Sequence, residues 1–261
     1  MAEHTMTLTL EKISAQVLNK VTPSQKERKE ILLLTEKLVE KVKAAAEKAG
    51  VEAEVRVEGS VAKDTWLREE PDIDIFIRLP TSLPRETFEK VGLKIAEQAT
   101  KGLKQVERFA EHPYLEAFTE NSTRINIVPC YKVKPGEWVS ATDRTPFHTD
   151  YAMPRLNEQL RSEIRLLKRF MKGVGVYGAE IKVGGFSGYL CELLILQYNS
   201  FVGVLESAAN LRDAWLIDYE GYYKQRENEL PKIFEEPLIV VDPVDKGRNA
   251  ASAVRKEHLI E

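Results

Sequence analysis

Asp72 and Asp74 stand two residues apart in EEPDIDIFIRLP, among isoleucines rather than other polar residues. Successive side chains of a strand point to opposite faces, so a β conformation here puts both carboxylates on one face and Ile73, Ile75 and Ile77 on the other. Like charges a few ångströms apart repel unless something positive lies between them, and a divalent cation is the usual occupant. Upstream, the strand-like VEAEVRVEGS closes on Gly59-Ser60. Glycine there lets backbone amides and the Ser60 hydroxyl approach an anion. Alone, Gly-Ser marks only a turn. Followed, after room for a short helical connection, by paired carboxylates on the next strand, it suits a triphosphate whose oxygens meet amides and hydroxyl while Asp72 and Asp74 hold Mg2+.

These residues need a sheet to sit on. Thr22-Pro23-Ser24-Gln25 opens a helix, with Thr22 as cap, Pro23 at the first helical position and Gln25 completing a capping-box spacing. Ile31, Leu34, Leu38, Val42 and Ala45 recur on one helical face until Gly50 ends it. Ala53, Val55 and Val57 alternate with charged residues as in a half-buried strand. Beyond the aspartate strand, SLPRETFEKVGLKIAEQATKGL reads as helix and STRINIVPCYKVK as a strand broken by Pro129. Helix, strand, strand, helix, strand makes an α/β (α+β) arrangement, a small mixed sheet with flanking helices, expected over residues 1–155. From Leu156 the texture changes. EQLRSEIRLLKRFMKGVG and GFSGYLCELLILQYNSFVGVLESA are helical, ahead of a strand-like PLIVVDP, so a mainly α-helical second domain is expected over residues 156–261. The closing DKGRNAASAVRKEHLIE finishes on what reads as the first turns of a further helix, which suggests a chain truncated at its C-terminal side.

Composition narrows the class. With 43% hydrophobic and 30% charged residues over 261 positions, the chain is neither disordered nor a membrane protein, and no apolar run reaches the roughly 20 residues of a membrane span. MAEHTMTLTLEK lacks a signal-peptide pattern, so a cytoplasmic location is expected. Cys130 and Cys191 lie in no zinc-ligand spacing and read as small core residues. A net charge of −3 argues against indiscriminate coating of nucleic acid. It leaves room for a local basic face. Between Arg155 and Lys182, Arg155, Arg161, Arg165, Lys168, Arg169, Lys172 and Lys182 outnumber Glu158, Glu163 and Glu180. That excess suits several phosphates of an RNA stem, with a solvated helix face as the ordinary alternative.

Gly-Ser followed by Asp-x-Asp is the signature of the DNA polymerase beta-like nucleotidyltransferase superfamily. GSVAKDTWL, AEHPY, VPCYKV, DRTPFH, VYGAE, GFSGYLCELL and VVDPVD, in order and spacing, resemble the archaeal, class I CCA-adding enzymes, tRNA nucleotidyltransferases. The resemblance implies attack of a tRNA 3′-hydroxyl on the α-phosphorus of CTP or ATP, with pyrophosphate leaving, at a two-metal Mg2+ site. It places Asp72 and Asp74 as metal-binding carboxylates, and it places Ser60, Lys63, Lys168 and Tyr177 on the triphosphate with His148 near the nucleotide. Arg248 matches an arginine that reads the incoming base; Glu111 and His112 lie in a segment facing the tRNA end, and Arg165, Arg169 and Lys172 are expected on the acceptor stem. The ordinary readings are a snorkelling Lys168, a surface His148, a core Tyr177 with its hydroxyl at the rim, and a helix-start Arg248 paired to Asp242 or Asp245.

One position departs from the family. Its third catalytic carboxylate falls at Asn126, in RINIVPC. An amide carries no negative charge and cannot act as a base, so metal loading is expected to weaken. Deliberate replacement is the expectation, with compensation by Glu69 or Glu70 as the alternative. Two rival functions stand beside CCA addition: another polymerase of the superfamily, making poly(A) or oligoadenylate, and a non-enzymatic nucleotide or RNA sensor.

Overall fold

In the computed structural model, which describes residues 2–210 and 215–260, Ser24 rather than Thr22 opens the first helix that packs on a sheet. Its hydroxyl accepts from the Glu27 amide, and the Glu27 carboxylate accepts from the Ser24 amide at 2.6 Å. This reciprocal box leaves Thr22 and Pro23 outside the helix. The elements of this part, after α1 (Ala2–Val21), are α2 (Gln25–Lys48), β1 (Glu54–Glu58), α3 (Gly59–Ala62), β2 (Asp72–Leu79), α4 (Arg85–Ala99), β3 (Lys104–Phe109), β4 (Pro113–Phe118), β5 (Arg124–Tyr131) and α5 (Thr145–Ala152).

The strands form one five-stranded mixed sheet in the order β1-β2-β5-β4-β3, with β2 and β5 parallel and the other pairs antiparallel. Helices α2 and α4 bury Leu38, Val42, Phe88 and Ile95 against Ile73, Ile75, Ile77, Ile125 and Ile127. Period-two alternation therefore puts the isoleucines of β2 in the core and its aspartates on the other face. Pro129 does not break β5, which runs on to Tyr131. Pairing with β4 ends at Ile127, and a residue lacking an amide hydrogen is tolerated where a strand keeps one neighbour. Gly92 lets α4 pack closely on β5: a Cβ there would lie 2.6 Å from the Pro129 side chain.

The chain separates into two compact units, residues 23–153 and residues 154–261 together with 1–22. The first 22 residues, counted with the sheet from sequence, thus belong to the helical unit, where α1 packs on α6. That unit contains α6 (Glu158–Val174), α7 (Gly188–Tyr198), α8 (Phe201–Ala209), β6 (Trp215–Ile217), α9 (Leu230–Ile233), β7 (Leu238–Asp242), β8 (Asp245–Asn249) and α10 (Lys256–Ile260). The long apolar run is two helices. Asn199 at φ 62 ends α7, Ser200 caps α8, and the axes differ by 88°. At the C-terminal side DKGRN forms β8, the edge of a sheet ordered β6-β7-β8, and the helix expected at the close of the sequence is α10. Cys130 and Cys191 are buried core residues, as read from sequence. Among the described residues no single helix is long and apolar enough to cross a membrane.

Candidate nucleotide and metal site

Cross-strand register builds a row of polar side chains over the open face of the sheet. Glu58 pairs with Asp74 across β1 and β2, Asp74 with Asn126 across β2 and β5, and Asn126 with Glu116 across β5 and β4. Directly opposed residues share a face, so these four line up across four strands, with Asp72 and Arg124 opposed in the neighbouring row. The two aspartates lie together as the alternation required.

Their charges are already matched by protein groups. Arg124 forks onto Asp72, its Nε 2.9 Å from Oδ1 and its Nη2 bonded to Oδ2. The same guanidinium reaches Glu116 Oε1 at 3.7 Å, and Glu116 also receives Arg108 Nε at 2.8 Å. Asp72 thereby raises the Arg124 pKa. Asp74 accepts 2.8 Å from the Asn126 amide nitrogen. Burial pushes the Asp74 carboxyl up to about 6, with that hydrogen bond opposing and the Asp72 charge assisting. Glu58, fully buried beside Arg56 Nε at 2.8 Å, is pushed up to about 7 by the same cause.

Gly59 has φ +71, and a Cβ there would fall inside van der Waals contact with Asp74 Oδ2. The anion that needs the bare glycine is therefore Asp74 itself. Ser60 sits half-buried in α3, its carbonyl accepting from Thr65 N at 2.9 Å. Lys63 follows at 4% exposure, and its charge lowers the pKa of both Asp74 and Glu58. His148 lies half-buried on α5, which packs on α3 and β1. Ser60, Lys63, Asp72, Asp74, Asn126 and His148 thus gather on one unit.

In the helical unit, Lys168 and Tyr177 converge over Gly188: a Cβ there would stand 3.0 Å from the Tyr177 hydroxyl and 3.6 Å from Lys168 Nζ. Lys168 is buried, with Nζ 3.6 Å from the buried Glu192, so it is no surface snorkeller. Arg248 lies on β8, not at a helix start, and its Nη1 bonds Asp242 Oδ2 at 2.6 Å, the pairing foreseen as the ordinary alternative. Two expected tRNA contacts are corrected. Arg165 is fully buried, and His112 is 3% exposed, edge-on to Phe88 and bonded through Nε2 to Thr142 Oγ1 at 2.8 Å. Enclosed side chains of this kind present little surface to a phosphate backbone. Burial also lowers the His112 pKa, favouring the neutral ring. Glu111 is exposed but accepts from the Ala141 amide. Arg169 is exposed, and Lys172 Nζ stands 5.0 Å from the Tyr177 ring centroid.

Arg124, Glu116 and Glu58 were missed from sequence. Arg124 had a usable signal, since it precedes Asn126 by two on the same strand and must share its face. Glu69 and Glu70, the acids of the alternative reading, are exposed in the turn before β2, whereas Glu116 lies opposite Asn126.

Residues 20–148 match the family described as "Nucleotidyltransferase domain", and residues 162–261 match "tRNA nucleotidyltransferase, second domain". The two segments together are similar to tRNA nucleotidyltransferases. Among its relatives, the CCA-adding enzyme of Methanothermobacter thermautotrophicus is 40% identical over 250 residues, covering 95% of this chain and 54% of its own length. That of Methanocaldococcus jannaschii is 41% identical over 258 residues, covering 96% and 57%. The chain spans about half the length of the curated relatives it matches. Solved structures share the fold at low identity: a Cid1 poly(U) polymerase at TM-score 0.71 and 16% identity, with 97% and 90% of the two chains covered, and E. coli MS115-1 CdnC at 0.65 and 14%, with 95% and 87% covered.

Among the described residues no group of three or more His, Cys, Asp or Glu side chains is arranged to hold a metal ion. The donors at hand are two carboxylates side by side and the Asn126 amide oxygen, hard oxygen ligands that fit Mg2+ or Mn2+ with one charge fewer than three acids would give.

Proposed function

We propose that this chain adds CMP and AMP from CTP and ATP to the 3′ end of tRNA, building or repairing the CCA terminus, with turnover weakened by Asn126. The observation that carries the reading is the placement of Asp72 and Asp74 together on one face, with Gly59-Ser60 packed against Asp74. Asp72 and Asp74 hold the divalent cations that this family uses; when bound, such ions neutralise the triphosphate and lower the charge barrier to attack by the 3′-hydroxyl. Ser60 and Lys63 take phosphate oxygens on the sheet unit, where Lys63 supplies fixed positive charge, and His148 borders the nucleotide. In the helical unit, Lys168 and Tyr177 offer an ammonium and a hydroxyl to an anion, Arg248 offers paired donors to a base, and exposed Arg169 with Lys172 favours an RNA phosphate backbone. Asn126 neither takes a proton nor adds charge, so the residues that remain bind nucleotide better than they activate the attacking hydroxyl.

Labelled CTP and ATP, supplied separately and together to tRNA lacking its CCA end, test the reading. Ordered addition of C, C and A supports it, and long tails from ATP alone would replace it with a poly(A)-type polymerase. Asn126→Asp is expected to raise the rate by about 10- to 100-fold, the range over which supporting residues tune a metal site. Equal rates remove the impairment. Metal-dependent nucleotide binding with no turnover in either form would point to the sensor.

A further inference from the structure

The geometry points to Arg124 as a tethered counter-cation that competes with a divalent ion for Asp72 and steps across to Glu116 when the ion binds. The inference rests on the reading of Asp72 and Asp74 as cation ligands.

Arg124 engages both oxygens of Asp72 through Nε and Nη2. The fork takes a lone pair on each oxygen and sets a positive charge beside them, so fork and ion compete for the same carboxylate. A departing guanidinium left unpaired near a half-buried face loses its charge partner, which makes the second acceptor decisive. Glu116 Oε1 is already 3.7 Å from Arg124 Nη1 and belongs to a side chain 7% exposed, while Asp72 and Arg124 are 33% and 45% exposed. A small rotation of the guanidinium exchanges one carboxylate for the other without moving the backbone. Register makes the exchange possible: Glu116 opposes Asn126, two residues along β5 from Arg124, so both acids flank the arginine on one face. Arg108, bonded to Glu116 Oε2, holds that carboxylate in place.

Mn2+ affinity of the intact chain, measured by electron paramagnetic resonance without nucleotide, reads the exchange directly. Arg124→Gln is expected to tighten Mn2+ binding about tenfold, the scale of a bidentate charge-assisted pair partly screened by water. Glu116→Gln is expected to weaken it severalfold, because Arg124 then has only Asp72. In the Arg124→Gln background, Glu116→Gln should change nothing, whereas simple long-range electrostatics predicts the same loss in both backgrounds. An additive double variant overturns the exchange, as does an Arg124→Gln affinity within twofold of the parent. Arg124→Lys keeps charge without the fork and should fall between, a check that survives poor folding of the glutamine variant. Asp72→Asn separates the two readings. If it leaves Mn2+ binding intact, the ligand assignment fails; if it abolishes binding while Arg124→Gln has no effect, only the exchange fails.

Discussion

Both units hold carboxylates against basic groups, but they bury them differently. On the sheet, Asp72 and Arg124 are 33% and 45% exposed, and the arginine has a second acid within reach. In the helical unit, Lys168 and Glu192 are 3% and 1% exposed, and Asp242 is fully buried under Arg248 and the Tyr189 hydroxyl. Water screens the first pair, so it can be exchanged for a ligand at small cost. The second was desolvated on folding, and removing either partner leaves a charge in the interior. The sheet's charges are therefore suited to being replaced, and those of the helices to being kept.

The largest expected effect follows from the buried pair. Lys168→Met should destabilise the helical unit by about 3–5 kcal/mol, because Glu192 loses a cation it cannot replace with water. Arg124→Gln on the sheet should cost about 1 kcal/mol or less. Urea unfolding followed by circular dichroism compares them; similar losses for the two variants would erase the distinction drawn between the units.

Two glycines sharpen the same contrast at smaller magnitude. Gly59 combines φ +71 with the Asp74 carboxylate where a Cβ would go, so Gly59→Ala should cost about 1–3 kcal/mol in backbone strain and displace Asp74. Gly188 lies in a helix, and its added Cβ would meet the end of the Tyr177 side chain at 3.0 Å, which yields by a few tenths of an ångström. Gly188→Ala should leave stability nearly unchanged. Denaturation midpoints decide: a loss at Gly188 equal to that at Gly59 would mean that the Tyr177 hydroxyl is as rigidly held as the Asp74 carboxylate.

What could be read beforehand divides along similar lines. The isoleucine alternation of β2 and the apolar face of α2 are local periodic signals, and they placed Asp72 and Asp74 correctly. The β3–β4 hairpin escaped because β3, an edge strand, is largely exposed and carries no apolar alternation. Strand β8 escaped for a related reason: DKGRN has no apolar residue, and its pairing leans on Asn249, whose Oδ1 accepts from the Val240 amide at 2.9 Å. The role of Arg124 depends on β5 running parallel to β2 fifty residues away, with Glu116 arriving from a third strand. No local pattern encodes that meeting. Burial of Arg165 and His112 was likewise invisible, since charge alone suggests the surface.

The smallest effect expected is a pH dependence confined to the sheet. Asp74 is pushed up to about 6 from 3.8 and Glu58 to about 7 from 4.5, both chiefly by burial. Below about pH 3 both acids are protonated in the folded and unfolded chain alike, and neither weakens the fold. As pH rises toward 7 the unfolded chain releases these protons first, so the native state binds more of them and stability must fall with pH across that window. The Arg56 and Lys63 charges already oppose these shifts, and water over the half-buried Asp74 trims its part of the decline. Hydrogen exchange of the β2 amides, measured from pH 4 to 7 after correction for intrinsic rates, should show it. In Glu58→Gln with Asp74→Asn the decline should vanish while exchange in α7 keeps its parental pH profile. If the sheet instead gains protection with rising pH, the two acids are ionised in the folded chain at every pH tested, and Arg56, Lys63 and Asn126 outweigh their burial.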